Sequence, residues 1–144
     1  MIEVKVINSS TNPLPDYKTL GSAGIDLQAW LAVPLTLMPL ERYLVPTGLQ
    51  MEIPEGYEAQ VRPRSGLALN HGVSILNSPG TIDSDYRGEV KVLLVNLSSK
   101  DYTIHPGDRI AQLVFSKYEK AILKVDVVLT ESHRGNGGFG HTGK

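Results

Sequence analysis

Glycine and proline hold 14 and 9 of the 144 positions. They are spread along the whole length, and no stretch between them sustains the 3.6-residue apolar period of an amphipathic helix. The intervals carry alternation instead: Ile2, Val4 and Val6 against Glu3 and Lys5, and Tyr57, Ala59 and Val61 against Glu58, Gln60 and Arg62. Period two puts each apolar set on one side of a strand and each polar set on the other. Further strands are expected at residues 25–29, 42–45, 48–53, 73–76, 89–97, 109–118 and 122–128, several of them rich in Val and Ile. Many short strands separated by turn residues make an all-β barrel, sandwich or jelly roll. One short helix fits at residues 65–70, with Ser65 placed to cap the free N–H groups of GLALN and Gly72 placed to end the turn in a left-handed conformation.

A chain of 144 residues builds one core, because a domain of this size buries about 68–70% of its unfolded surface and needs no covalent staple. It contains no Cys, which excludes disulfide scaffolds, Cys-ligated zinc and cysteine nucleophiles. Fourteen Lys and Arg against fifteen Asp and Glu leave a formal charge of -1 without a long basic block, so no duplex-binding surface is advertised. The start MIEVKVINSS has no apolar leader, and no apolar run nears the ~20 residues of a membrane span. The expectation is a cytoplasmic protein with no nucleic-acid and no membrane partner. From Thr130 the sequence TESHRGNGGFGHTGK loses its apolar content; residues 1–129 read as the folded domain and 130–144 as a mobile, Gly-rich tail.

Three segments carry candidate chemistry. In Pro63-Arg64-Ser65-Gly66 a strand runs into the helix, so an anion there would meet helix N–H groups, the Ser65 hydroxyl and a guanidinium. The plainer reading is an ordinary cap after a surface arginine. In VSILNSPGTIDSDYRGEVKVLLVN, Ser78-Pro79-Gly80 is a turn signal that predicts a hairpin of the flanking strands with Asn77 at its mouth. On an alternating strand Asp83 and Asp85 would share a face, one as a base and the other holding solvent or a cation; the alternative is a solvated turn running to Gly88. In the tail, Gly135, Gly137 and Gly140 match a G-x-G-x-x-G pattern, but that pattern works only where a helix follows, and none is expected after it. Arg134 and Phe139 among those glycines are what a flap needs to close over a charged aromatic ligand. His71, His105, His133 and His141 show no metal spacing and no G-x-S-x-G is present, so the one metal the chemistry admits is a hard cation carried in by a phosphate substrate.

Taken in order, residues 23–29 (AGIDLQA), 63–69 (PRSGLAL), 80–90 (GTIDSDYRGEV), 107–114 (GDRIAQLV) and 134–140 (RGNGGFG) resemble the five motifs of the trimeric dUTPases, over nearly the whole chain. The resemblance implies a jelly-roll-like β-barrel subunit and a homotrimer whose interfacial active sites are each completed by a third subunit's C-terminal flap. It implies hydrolysis of dUTP to dUMP and pyrophosphate, which keeps uracil out of DNA and supplies dUMP for thymidylate synthesis. Mg²⁺ would be bound through the substrate triphosphate with no direct protein ligand, and Asp26 would hold metal-bound water or orient its neighbours. By matching positions Asp83 would be the general base for water attacking the α-phosphorus. Asn77 and the backbone around Gly80, Thr81 and Ile82 would read the uracil edge in a hairpin too tight for thymine's methyl, and Tyr86 would stack under the deoxyribose and clash with a 2′-hydroxyl. Arg64, Ser65, Gly66 and Gln112 would meet the phosphates, Lys91 would face the nucleotide, and Arg134, Gly138, Phe139 and Gly140 would form the flap. Two rivals remain: a dCTP deaminase-like enzyme of the same fold, whose catalytic glutamate would fall where this chain has Leu94, and a β-barrel module that binds a uracil nucleotide without hydrolysing it.

Overall fold

The structure, a computed structural model, describes residues 1–139. Two four-stranded antiparallel sheets face each other. The first runs β1 (Lys5–Asn8), β4 (Arg42–Glu52), β8 (Glu89–Asn96), β6 (Val73–Ile75) in spatial order, and the second β2 (Gly24–Gln28), β10 (Arg109–Lys117), β5 (Tyr57–Arg62), β7 (Gly80–Ile82). Neighbours within each sheet are mostly distant in sequence, which makes the fold a jelly-roll type of all-β domain, one of the architectures the strand pattern admits and the one the resemblance implies. The alternating apolar residues of both inner faces form one core; Leu27, Val45, Val92, Leu94 and Leu113 are at most 1% exposed. Each such side chain contributes about 1.5–3 kcal/mol relative to an exposed position.

Several expectations change in detail. The two strands expected at 42–45 and 48–53 are one, β4, which ends at Glu52 and whose register shifts between Pro46 and Leu49; a proline cannot donate to the ladder, and an irregularity accommodates it. The first strand begins at Lys5, not Ile2. A small sheet, β3 (Leu35–Leu37) against β9 (Tyr102–Ile104), was not anticipated; three-residue strands are too short to show a period. The helix α1 spans Ser65–His71, but its N-cap is Arg64 in extended geometry without a side-chain cap bond, so Ser65 is the first helical residue and not the cap. Gly72 ends it in the left-handed region, φ 65°, as expected.

Two expectations fail. The turn at Ser78-Pro79-Gly80 does not close a hairpin: β6 pairs with β8 in the first sheet and β7 with β5 in the second, so the segment hands the chain across the sandwich. Residues 122–128 form no strand. A strand needs a ladder partner and a face to bury, and Ile122, Leu123, Val125, Val127 and Val128 are 75–98% exposed. The last ladder-paired residue of the body is Lys117.

Candidate active site

Functional side chains gather in two places on the second sheet. Asp26 is the middle residue of β2, and the buried Ile25 and Leu27 on either side turn its carboxylate away from the core. Arg64, just before α1, donates from Nε to Asp26 Oδ1 at 3.0 Å, and Arg109 donates from Nη1 to Asp26 Oδ2 at 3.2 Å. Arg64 Nη1 also donates to the Arg109 carbonyl at 3.0 Å. Gln112, the cross-strand partner of Asp26, donates from Nε2 to the Pro63 carbonyl at 2.9 Å. Gly24 leaves room for this side chain: a Cβ there would lie 2.6 Å from Gln112 Oε1 and push the amide aside. Segments from β2, the β5–α1 junction and β10 thus converge, with Ser65 and the unobstructed Gly66 exposed at the start of the helix. Two guanidiniums on one carboxylate leave the cluster cationic, suited to phosphate.

The second place is the loop between β7 and β8. The strand ends at Ile82, so Asp83 and Asp85 do not share a strand face; both stand in this loop. Tyr86 closes it, donating its backbone N–H to the Asp83 carbonyl at 3.2 Å and its hydroxyl to the Glu89 carbonyl at 3.0 Å. Asp83 is exposed and lines two cavities. One, of about 270 Å³, is walled by Leu44, Thr81, Ile82, Tyr86, Glu89 and Lys91; the other, of about 630 Å³, opens past Asp85 and Arg87 toward Glu52, Tyr118 and Lys120. Lys91 Nζ sits 3.5 Å from Glu89 Oε2, and Glu89 Oε1 accepts the Gly48 N–H at 2.8 Å. Asn77 is exposed beside buried Gly80, where a Cβ would come within 3.2 Å of Asn77 Nδ2 and 3.4 Å of Val61 Cβ. Gly80 is therefore what lets Asn77 and the chain pass so close to β5.

These two places are far apart within the chain. Ile82 pairs with Ala59 and Arg64 follows β5, so at about 3.3 Å per residue roughly 16 Å of strand separates them. Neither cavity beside Asp83 is lined by Arg64, Ser65, Gly66 or Gln112. None of the described tail residues lines either cavity: Arg134 donates from Nε to the Gly137 carbonyl at 2.7 Å, Gly138 is half-buried and Phe139 is fully exposed. Gly140 lies outside the described residues.

Among the described residues no group of three or more His, Asp or Glu could cage a metal, and Asp26, after two guanidiniums, retains roughly two of its four lone-pair sites. That donor set fits an ion brought by a phosphate ligand. Among the described residues two ionisations are perturbed. Partial burial, reinforced by Asp108 and opposed by Arg64, pushes the Tyr102 phenol above its usual range, and the Lys5 ammonium bonded to Glu52 holds that carboxyl below its own. Leu94, 1% exposed, stands in the core where no group can meet a substrate.

Sequence reasoning missed Glu89 and Arg109 as parts of these clusters. Arg109 lay inside a quoted motif, but alternation from the buried Leu113 and Ala111 would point it inward.

A dUTPase family model matches residues 10–143. A deoxyuridine 5′-triphosphate nucleotidohydrolase from Finegoldia magna is 56% identical, covering 99% of both chains, and one from Fusobacterium nucleatum is 56% identical over 99% of this chain and 98% of its own. Among solved structures, the Staphylococcus bacteriophage 80alpha dUTPase with dUPNHPP aligns over the full length of both chains with a TM-score of 0.91 and 25% identity. A mutant dUTPase of phage phi11 of S. aureus, whose structure details the coordination of a structural Mg(II) ion, aligns at 0.81 and 23% identity over 90% of this chain and all of its own. With a jelly-roll sandwich and a family match across nearly all its length, this chain belongs to the dUTPase family.

Proposed function

We propose that the chain's hydrolysis of dUTP to dUMP and pyrophosphate runs on two half-sites supplied by neighbouring subunits of a homotrimer. The separation of the phosphate cluster from Asp83 supports this: within one chain neither cavity beside Asp83 is lined by Arg64, Ser65, Gly66 or Gln112. A second copy must bring its own Arg64, Ser65, Gly66 and Gln112 to the triphosphate.

In the nucleoside half-site, Asn77 and the backbone of Gly80, Thr81 and Ile82 read the uracil edge, and the Tyr86 ring, held over the loop, supports the deoxyribose and meets a 2′-hydroxyl. Lys91 faces the cavity while paired with Glu89. Asp83 accepts the proton of the water that attacks the α-phosphorus. A carboxylate is a weak base, so much of the rate comes from fixing the water and stabilising charge. In the phosphate half-site, Asp26 orients Arg64 and retains lone pairs for metal-bound water. A Mg²⁺ ion carried in by the triphosphate, with its water held by Asp26, would supply charge neutralisation and polarisation of phosphoryl oxygens there. Arg134, Gly138, Phe139 and Gly140 close over the ligand from the third subunit and exclude water other than the nucleophile.

Asp83→Asn should abolish release of pyrophosphate from dUTP with nucleotide affinity kept; unchanged turnover would remove Asp83 from the role of base. The shared site is tested by complementation. Arg64→Ala and Asp83→Asn chains, each inactive alone, should regain activity when unfolded and refolded together, because some interfaces then unite the two intact halves. Persistent inactivity of the mixture would place both halves in one chain.

A further inference from the structure

Strict alternation would set Arg109 and Gln112 on opposite faces of β10. The register against β2 slips between Arg109 and Ala111, and Ile110 and Ala111 are both buried, 2% and 0% exposed. The bulge resets the alternation, so Arg109 joins Gln112 and Asp26 on the outer face. Bulges often serve to re-aim a side chain beside a functional site. The turn feeding Arg109 is pinned as well: Gly107 N–H donates to the Ala29 carbonyl, Ala29 N–H to the Asp108 carbonyl and Gln28 Nε2 to the Gly107 carbonyl, each at 2.8 Å.

We propose that Arg109 is a positioning residue of the phosphate half-site, acting through Asp26 and Arg64; this rests on the function proposed above. Its guanidinium occupies Asp26 Oδ2 and leaves Oδ1 for Arg64, while its carbonyl takes Arg64 Nη1. Arg64 is gripped at Nε and at one Nη1 hydrogen, which leaves roughly three of its five donors for a ligand. Charge balance depends on Arg109 too. Asp26 and Arg64 alone cancel, whereas Asp26 with both arginines keeps one net positive charge facing the incoming anion.

The test uses the full-length chain with Mg²⁺ present: calorimetric titration with inorganic pyrophosphate, the KM and kcat for dUTP, and inhibition by deoxyuridine, which has no phosphate. Arg109→Ala should weaken pyrophosphate binding and raise the KM for dUTP by about ten-fold, the size of a lost charge-assisted contact, with the deoxyuridine inhibition constant unchanged. Arg109→Lys, which keeps the charge, should stay near the wild type, and Arg109→Gln, which keeps a donor without charge, should follow the alanine variant. Equal pyrophosphate affinity in the Lys and Gln variants, or deoxyuridine affinity falling in step with pyrophosphate, overturns the proposal even if the alanine variant does not fold. Failure of the wild type to hydrolyse dUTP would refute the proposed function instead, and the pyrophosphate titration would still decide the role of Arg109.

Discussion

Gly88 has no side chain of its own to offer, yet it decides where the Tyr86 ring lies. A Cβ built on Gly88 falls 2.5 Å from Tyr86 Cζ and 2.9 Å from Cε2, whereas carbon atoms rest about 3.5 Å apart, so in Gly88→Ala the ring must retreat by about 1 Å. The ring is 44% exposed and can swing outward without disturbing the core. The structural loss is then mainly the hydrogen bond from its hydroxyl to the Glu89 carbonyl, about 1 kcal/mol, or a few degrees of melting temperature. The functional loss is larger if, as proposed, the ring is the surface that polices the sugar. In side-by-side measurements of kcat/KM for dUTP and UTP, the variant should lose about ten-fold in its preference for dUTP, equivalent to about 1.4 kcal/mol of discrimination. A variant that melts as expected but keeps the wild-type ratio would refute the idea that this ring, in this position, excludes the 2′-hydroxyl.

Deleting residues 130–144 should leave the melting temperature within a few degrees, since neither sheet extends past Lys117, while pyrophosphate release from dUTP collapses; full turnover by the truncated chain would remove the flap from the mechanism. Incubation of the wild type with dCTP should release no ammonia, because the position a deaminase would need is the buried Leu94. The Tyr102 phenol is held above its usual range, so the folded state favours its neutral form. That contribution is intact below the ordinary tyrosine pKa and is lost as pH rises through the folded value. Denaturant titrations at rising alkaline pH should therefore show the wild type losing more stability than Tyr102→Phe, and parallel profiles would contradict this.

Much of the sandwich was legible because burial imposes period two on a chain with a dry side. Tyr57–Arg62 and Ile25 onward alternate cleanly, and both form strands where alternation places them. What was illegible was partnership. Residues 122–128 alternate as well as many true strands, yet within one chain they meet no ladder and bury nothing; local pattern reports the capacity to pair, and only tertiary context supplies the partner. The same limit explains the hairpin that did not form. Ser78-Pro79-Gly80 announces a reversal correctly, but a reversal between the two layers of a sandwich reads identically to one within a sheet.

The site divides along the same line. Residues that would touch a ligand directly are marked in the sequence by their type: a carboxylate in a turn at Asp83, an exposed ring at Tyr86, a guanidinium before a helix at Arg64. Residues that hold those groups in place carry no such mark. Glu89 looks like a strand residue with a solvated face, yet it ties the Gly48 N–H and Lys91 together beneath the nucleoside cavity. Arg109 looks inward-facing until a one-residue slip in β10 turns it beside Asp26. A bulge of this kind leaves composition and average periodicity untouched while exchanging the faces of every residue on one side of it. The second guanidinium of the proposed phosphate half-site thus depends on a backbone irregularity: because Ile110 is the extra residue of the bulge, deleting it should keep Arg109 opposite Gln28 on the outer face and leave pyrophosphate binding intact, while the loss of a buried side chain lowers stability.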